Sequence, residues 1–153
     1  MKYDVMTTED ISWLPISEMA DKNCILFLWV TMPKLNEVMK LFERWGFKYS
    51  TCGFVWVKKN KKSEGNFWGM GRWTRSNAEL CLIGIKGSPQ GLSASIHSVI
   101  ESPIEEHSKK PDIVRQKIVE LCGDLPRIEL FARKKTEGWE VWGNEVESDI
   151  KLT

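Results

Sequence analysis

His107-Ser108-Lys109-Lys110-Pro111-Asp112, the run from Ile113 to Cys122-Gly123, Arg127-Ile128-Glu129-Leu130-Phe131-Ala132-Arg133 and Trp139-Glu140-Val141-Trp142-Gly143-Asn144-Glu145 together decide the fold class. The order reads as helix, buried strand, tight connection and second strand. Polar residues stand where each element begins or ends. Pro111 suits the first helical position, which puts Lys110 at the helix mouth. Free backbone N–H groups and the helix dipole favour an anion there, and a lysine adds a seat for a carboxylate or phosphate. Arg133 follows an apolar strand, at the edge where α/β sheets place ligands. Asn144 and Glu145 follow Trp142-Gly143, and an amide beside a carboxylate suits a ribose diol. An anion seat and a diol clamp match the two polar ends of an adenosyl amino-acid cofactor. The same pattern also fits an ordinary βαβ unit with solvated charged ends.

Working outward, 153 residues make one domain, and residues 1–153 are read as a single unit. A chain 42% hydrophobic and 28% charged is expected to be globular and soluble. The longest apolar run, Cys24 to Val30, is too short for a membrane span. Met1-Lys2-Tyr3-Asp4 has no apolar signal segment, so a cytoplasmic location is expected. Net charge is +1, so attraction to nucleic acid must come from a local patch. Cys24, Cys52, Cys81 and Cys122 are far apart, without a CxxC, and only two histidines accompany them, which argues against zinc and for reduced core thiols.

Thr7-Thr8-Glu9-Asp10-Ile11 reads as a capped first turn with Ile11, Trp13 and Leu14 on its apolar side, ended by Pro15. Continuous apolar Cys24–Val30 predicts a strand covered on both faces, hence a parallel sheet. Thr31-Met32-Pro33 opens a helix in which Leu35, Val38, Met39, Phe42 and Trp45 recur at helical spacing, with Gly46 as C-cap. Strands are expected over 48–58, 79–86, 98–102, 127–132 and 139–142. Strands alternating with helices mean α/β, as one sheet with helices on its faces.

The polar loop 58–76 carries Lys58, Lys59, Lys61, Lys62, Arg72 and Arg75 against one acid, Glu64. Trp68 and Trp73 sit among them, with Gly65, Gly69 and Gly71. Cations for phosphates and flat apolar faces for splayed bases are what a nucleic-acid loop needs. The alternative is a solvated basic hairpin whose indoles fold back onto the core. Gly69-Met70-Gly71 is not a phosphate loop.

Taken together, these residues resemble the MT-A seventy family of S-adenosylmethionine-dependent N6-adenine methyltransferases, related to the catalytic subunit of the messenger-RNA adenosine methyltransferase. The resemblance runs through Tyr3-x-x-Met6-Thr7-x-Glu9-Asp10-Ile11-x-x-Leu14-Pro15, Phe27-Leu28-Trp29-Val30 and Trp45-Gly46-Phe47-x-Tyr49-x-Thr51 with Phe54-x-Trp56-x-Lys58. It continues in Gly69-x-Gly71-Arg72-Trp73-Thr74-Arg75-x-Asn77-x-Glu79-Leu80-Cys81-Leu82, Gly84 and Gly87, Ser108-Lys109-Lys110-Pro111-Asp112, Glu129-Leu130-Phe131-Ala132-Arg133 and Trp142-Gly143-Asn144-Glu145. It implies a Rossmann-like methyltransferase sheet with helices on both faces, S-adenosylmethionine as methyl donor and adenine in DNA or RNA as acceptor. By position, Lys110 would hold the methionine carboxylate, and Arg133 and Asn144 the ribose hydroxyls with Glu145 beside them. A His-Asn type pair of the family falls on Lys135 and Thr136 here, which makes Lys135 a cofactor-side candidate. Lys58, Arg72, Trp73, Thr74, Arg75 and Asn77 fall on the acceptor side. The halves divide as a target-side loop, 58–76, and a cofactor-binding part, 105–145.

The family's Asp-Pro-Pro-Trp motif does not occur in this sequence. Its carboxylate and a proline carbonyl accept from the exocyclic amine while its aromatic holds the extruded base. The expectation is a domain truncated at its N-terminus, missing a central strand and open at an apolar edge. Three or four large side chains at about 1.5–3 kcal/mol each weigh heavily against a total stability of about 5–15 kcal/mol. Three readings follow: a methyltransferase acting on DNA rather than RNA but inactive alone; a non-catalytic module binding nucleic acid or cofactor, its sheet completed by a partner subunit or second copy; or a gene fragment.

Overall fold

Alternating faces of a four-stranded sheet organise the molecule. The computed structural model describes residues 6–62, 65–66, 68–69, 72–91, 93–106 and 109–152; the readings made on Tyr3, Glu64, Met70, Gly71, His107 and Ser108 lie outside them. Strands β1 (Cys24–Val30), β2 (Lys48–Lys59), β3 (Ala78–Lys86) and β4 (Val99–Pro103) lie in the order β1-β3-β2-β4. β3 runs antiparallel to both neighbours, and β4 is parallel to β2. The carboxyl ends of β1, β2 and β4 therefore share one edge.

The parallel pairing expected for β1 is overturned: Cys24 faces Lys86 and Val30 faces Leu80 in an antiparallel register. A continuous apolar run reports cover on two faces, not direction. The expected single sheet is also corrected. β5 (Ile128–Leu130) and β6 (Glu140–Trp142) form a separate parallel pair. The two sheets share a core without sharing a ladder, because Leu130, Phe131 and Trp142 pack on the cluster that holds Val30, Phe42 and Leu82. Among the described residues β1 and β5 each have one strand partner.

Successive residues of a strand face opposite sides, and the core divides accordingly. Leu82, Leu26 and Leu28 face α1 (Thr8–Ser12), α2 (Ile16–Met19) and α3 (Leu35–Arg44). Cys81, Phe54, Phe27 and Trp29 face α4 (Ile113–Cys122) through Val114 and Ile118. Helices thus cover both faces, as a Rossmann-like α/β fold requires.

The first turn is capped as expected: Thr7 Oγ1 accepts from the Asp10 N–H at 3.1 Å, and Asp10 Oδ2 from the Thr7 N–H at 3.3 Å. Trp13, however, lies outside the core, its indole N–H on Glu9 at 3.0 Å and the Arg44 guanidinium 3.9 Å over its ring. Met32–Lys34 is a 3-10 turn ahead of α3. α3 buries Val38, Leu41 and Phe42, while Leu35 and Met39, expected on the same stripe, are exposed. Gly46 ends the helix at φ +77, and the Phe47 N–H reaches back to Phe42 O at 2.8 Å. Phe42 fills a socket opened by Gly84, where a Cβ would stand 2.5 Å from the ring.

All four cysteines are free, but only Cys81 is fully buried. Burial pushes the Cys81 thiol up to about 12, and raises those of Cys24, Cys52 and Cys122. Only the thiolate reacts. Iodoacetamide at pH 8 is therefore expected to label Cys81 last, at the rate of global unfolding. Prompt labelling of Cys81 in the native state would contradict this packing.

Candidate functional site

Side chains converge at the shared carboxyl edge, where open α/β sheets bind ligands. Trp29 is near the end of β1, Trp56 and Lys58 near the end of β2, Glu79 at the start of β3 and Lys110 beyond β4. Trp56 and Glu79 are register partners. Glu79 is 4% exposed, and its carboxylate is shared by two lysines. Lys58 Nζ is 3.0 Å from Oε1, and Lys110 Nζ donates to Oε2. Each ammonium also lies over an indole, Lys58 5.2 Å from Trp56 and Lys110 5.7 Å from Trp29. The two indoles meet edge to face at 6.2 Å, and Trp56 Nε1 donates to Ser102 O at 2.8 Å. A buried carboxylate persists only when paired, and here its partners come from both expected halves of the site. Glu79 was not among the expected site residues. Its signals are an acid opening an otherwise apolar strand and its place in the matching run Asn77-x-Glu79-Leu80.

The helix-mouth geometry expected for Lys110 is corrected. α4 begins at Ile113, so Ile113 rather than Pro111 takes the first helical position, and Asp112 rather than Lys110 stands at the mouth. The mouth already holds its own anion: the Asp112 carboxylate receives Arg115 at 2.8 Å, Lys109 at 3.2 Å and Lys134 at 3.4 Å. Partial burial alone would raise the Asp112 carboxyl. The hydrogen bond and charge of Lys109, with Lys134 and Arg115, outweigh it and hold the group below its ordinary range. Lys110 turns instead to Glu79.

Phe131 lies in the left-handed region at φ +57, its ring edge-on to Trp142 at 5.1 Å. This uncommon conformation for a bulky residue is held by that packing and by the Ala132 N–H on Trp142 O at 3.0 Å. The turn brings Arg133 beside the segment after β6, with Nε 3.3 Å from Glu145 Oε2. Arg133, Asn144, Glu145, Val146 and Glu147 line a shallow, open, mainly polar depression. Three of the five cofactor candidates thus share one surface. Lys110 belongs to the Glu79 cluster. Lys135 is drawn to Asp149 at 2.7 Å, whose carboxylate also accepts the Val141 N–H at 2.9 Å. The depression offers a carboxylate and an amide suited to a diol, while the two lysine candidates stand apart from its lining, Lys110 on Glu79 and Lys135 on Asp149.

The basic loop is tied at its base. Asn60 N–H reaches Gly65 O at 3.1 Å, Lys59 Nζ reaches Asn66 Oδ1 at 2.9 Å, and Lys58 N–H reaches Asn77 O at 2.8 Å. Its indoles do not fold back: Trp68 is 57% and Trp73 91% exposed. Arg72, Thr74 and Arg75 are exposed beside Trp73, and Asn77 is half-buried. Lys58 differs from these in being drawn inward to Glu79. Among the described residues no group of three His, Cys, Asp or Glu could hold a metal, and no helix is long and apolar enough to cross a membrane.

The chain is 33% identical over 148 residues to the type II methyltransferase M.MunI of Mycoplasma sp, covering 95% of this chain and 60% of that protein. It is 31% identical over 155 residues to a putative N(6)-adenosine-methyltransferase MT-A70-like protein of Medicago truncatula, 99% of this chain and 25% of the relative. It is 30% identical over 151 residues to the human N(6)-adenosine-methyltransferase catalytic subunit METTL3, 96% of this chain and 26% of the relative. It therefore spans about three fifths of the first of these and about a quarter of the others. The MT-A70 family model matches residues 1–145, a span that takes in the Glu79 cluster, the exposed indole loop and the depression at Arg133, and the chain belongs to that family.

Proposed function

We propose that these residues form the donor- and base-holding part of an S-adenosylmethionine-dependent N6-adenine methyltransferase, with DNA as acceptor in preference to RNA. The observation that carries the reading is the grouping of Arg133, Asn144 and Glu145 around one depression, with the family match around it. When bound, S-adenosylmethionine supplies a methyl group on a sulfonium that an amine nitrogen can displace. Asn144 and Glu145 take the ribose hydroxyls, with Arg133 fixing the Glu145 carboxylate. Lys110 takes the amino-acid carboxylate. Lys135 joins this grip only by leaving Asp149. Arg72 and Arg75 meet phosphates, and Trp73 stacks on a splayed base. The similarity to a type II methyltransferase supports DNA.

No Asp-Pro-Pro-Trp occurs in the 153 residues, so nothing in them presents the acceptor amine as the family's chemistry requires. The 153-residue chain binds both substrates but transfers no methyl group alone. Among the described residues β1 pairs with β3 alone, and its other edge is where a partner subunit or second copy would add a strand. Titration calorimetry is expected to show S-adenosylmethionine binding that Lys110→Ala and Asn144→Ala each weaken. Labelled methyl transfer to adenine-containing DNA by this chain would overturn its inactivity. Absence of binding to both S-adenosylmethionine and single-stranded DNA at low salt would overturn the whole reading.

Trp73→Ala is expected to weaken single-stranded DNA binding by about 1–3 kcal/mol, or roughly 5–150-fold. Melting should be unchanged, because the ring is almost wholly exposed. Anisotropy titration beside a thermal melt reads both. An unchanged affinity would remove Trp73 from the interface.

A further inference from the structure

We propose that Glu79 is a counter-ion shared between the donor seat and the acceptor loop, and that it makes the two anionic ligands compete. The inference rests on the reading above for which ligand meets which lysine. The cluster itself rests on the geometry alone.

Lys58 and Lys110 bring two positive charges and Glu79 one negative, leaving a net charge of +1. The carboxylate has one oxygen on each lysine, and both lysine side chains are about three-quarters covered. Neither ammonium is therefore fully available while Glu79 divides itself between them. A donor carboxylate arriving at Lys110 supplies that lysine with its own counter-ion. Glu79 is then left to Lys58, and the cluster becomes neutral. A phosphate approaching Lys58 afterwards meets a lysine already compensated, in surroundings where screening by water is weak. The reverse order gives the same result, since coupling between two ligands is reciprocal. The other acids near the helix mouth do not intervene in this count. Glu105 and Asp112 are paired with Lys109, and Asp112 also with Arg115 and Lys134. The predicted consequence is negative coupling, in which each bound substrate loosens the other.

The test measures S-adenosylhomocysteine binding by calorimetry at fixed salt, with and without a saturating adenine-containing single-stranded oligonucleotide. In the native chain the oligonucleotide is expected to weaken the ligand by about 5-fold or more. Glu79→Gln should raise its affinity in the absence of DNA and bring the coupling factor close to one. Lys58→Met provides a second variant should Glu79→Gln not fold. It leaves Glu79 wholly on Lys110, so binding of S-adenosylhomocysteine should weaken several-fold although Lys58 does not touch it. The double variant Lys58→Met/Glu79→Gln should restore that affinity, which a merely structural role for Lys58 would not do. Coupling that is absent in the native chain, or unchanged in Glu79→Gln, overturns the proposal and leaves the functional reading standing. Failure of the native chain to bind S-adenosylhomocysteine overturns both.

Discussion

Glu79→Ala is expected to lower the unfolding free energy by about 3 kcal/mol, read as a reduced urea midpoint at unchanged slope. Removing one member of a buried ion pair costs about 3–5 kcal/mol, because the remaining charge is left uncompensated. Here two ammonium groups are left, Lys58 and Lys110, each about a quarter exposed. Residual hydration places the loss at the low end of the range. Lys58→Ala should cost less, since Lys110 still satisfies the carboxylate. Tryptophan emission follows the transition, with Trp29 and Trp56 beside the lesion. A loss below about 1 kcal/mol would mean the lysines are hydrated like surface groups.

Phe42→Ala is expected to cost about 3–5 kcal/mol, out of a total of about 5–15 kcal/mol for a domain. Phe42 is 1% exposed and joins α3 to β3 by filling the space over Gly84. Tyr49 covers it from β2, with ring centroids 5.9 Å apart. Gly84→Ala injures the same joint from the other side, adding volume where the ring already lies, at about 1–3 kcal/mol. The two positions share one space, so their effects should not add. Phe42→Leu with Gly84→Ala should be more stable than the sum of the single losses allows. Strict additivity in that double-mutant cycle would show that the socket is not shared.

How far the sequence could be read depends on whether the deciding contact is local. β2 ends one residue beyond its expected boundary, because Phe54, Trp56 and their β-branched neighbours mark a strand by themselves. Thr7 and Asp10 announced their cap within four residues. The placement of Arg133, Asn144 and Glu145 on one rim is legible because each follows a short apolar strand. β1's direction was not legible, since its composition suits either pairing. The second sheet was hidden for the same reason: Leu130 and Trp142 look like core wherever their ladder lies. The local sequence around Lys110 shows only its helix, whereas its partner lies 31 positions away on β3. Spacing puts Trp13 on the apolar side of its turn, yet it is exposed, with Arg44 from the far end of α3 over its ring.

The place of β3 between β1 and β2 also sets a schedule for synthesis. β1 and β2 come first along the chain, yet they do not pair with each other. Cys24 waits for Lys86. At about 5–20 residues per second, translation reaches Lys86 roughly 3–12 s after Cys24. For those seconds the seven-residue apolar strand Cys24–Val30 lacks β3, its one strand partner among the described residues, a condition that favours aggregation. Slow codons in the loop between β2 and β3 prolong that interval, whereas slow codons after Lys86 do not. The yield of soluble protein is therefore sensitive to translation speed in one window of the message.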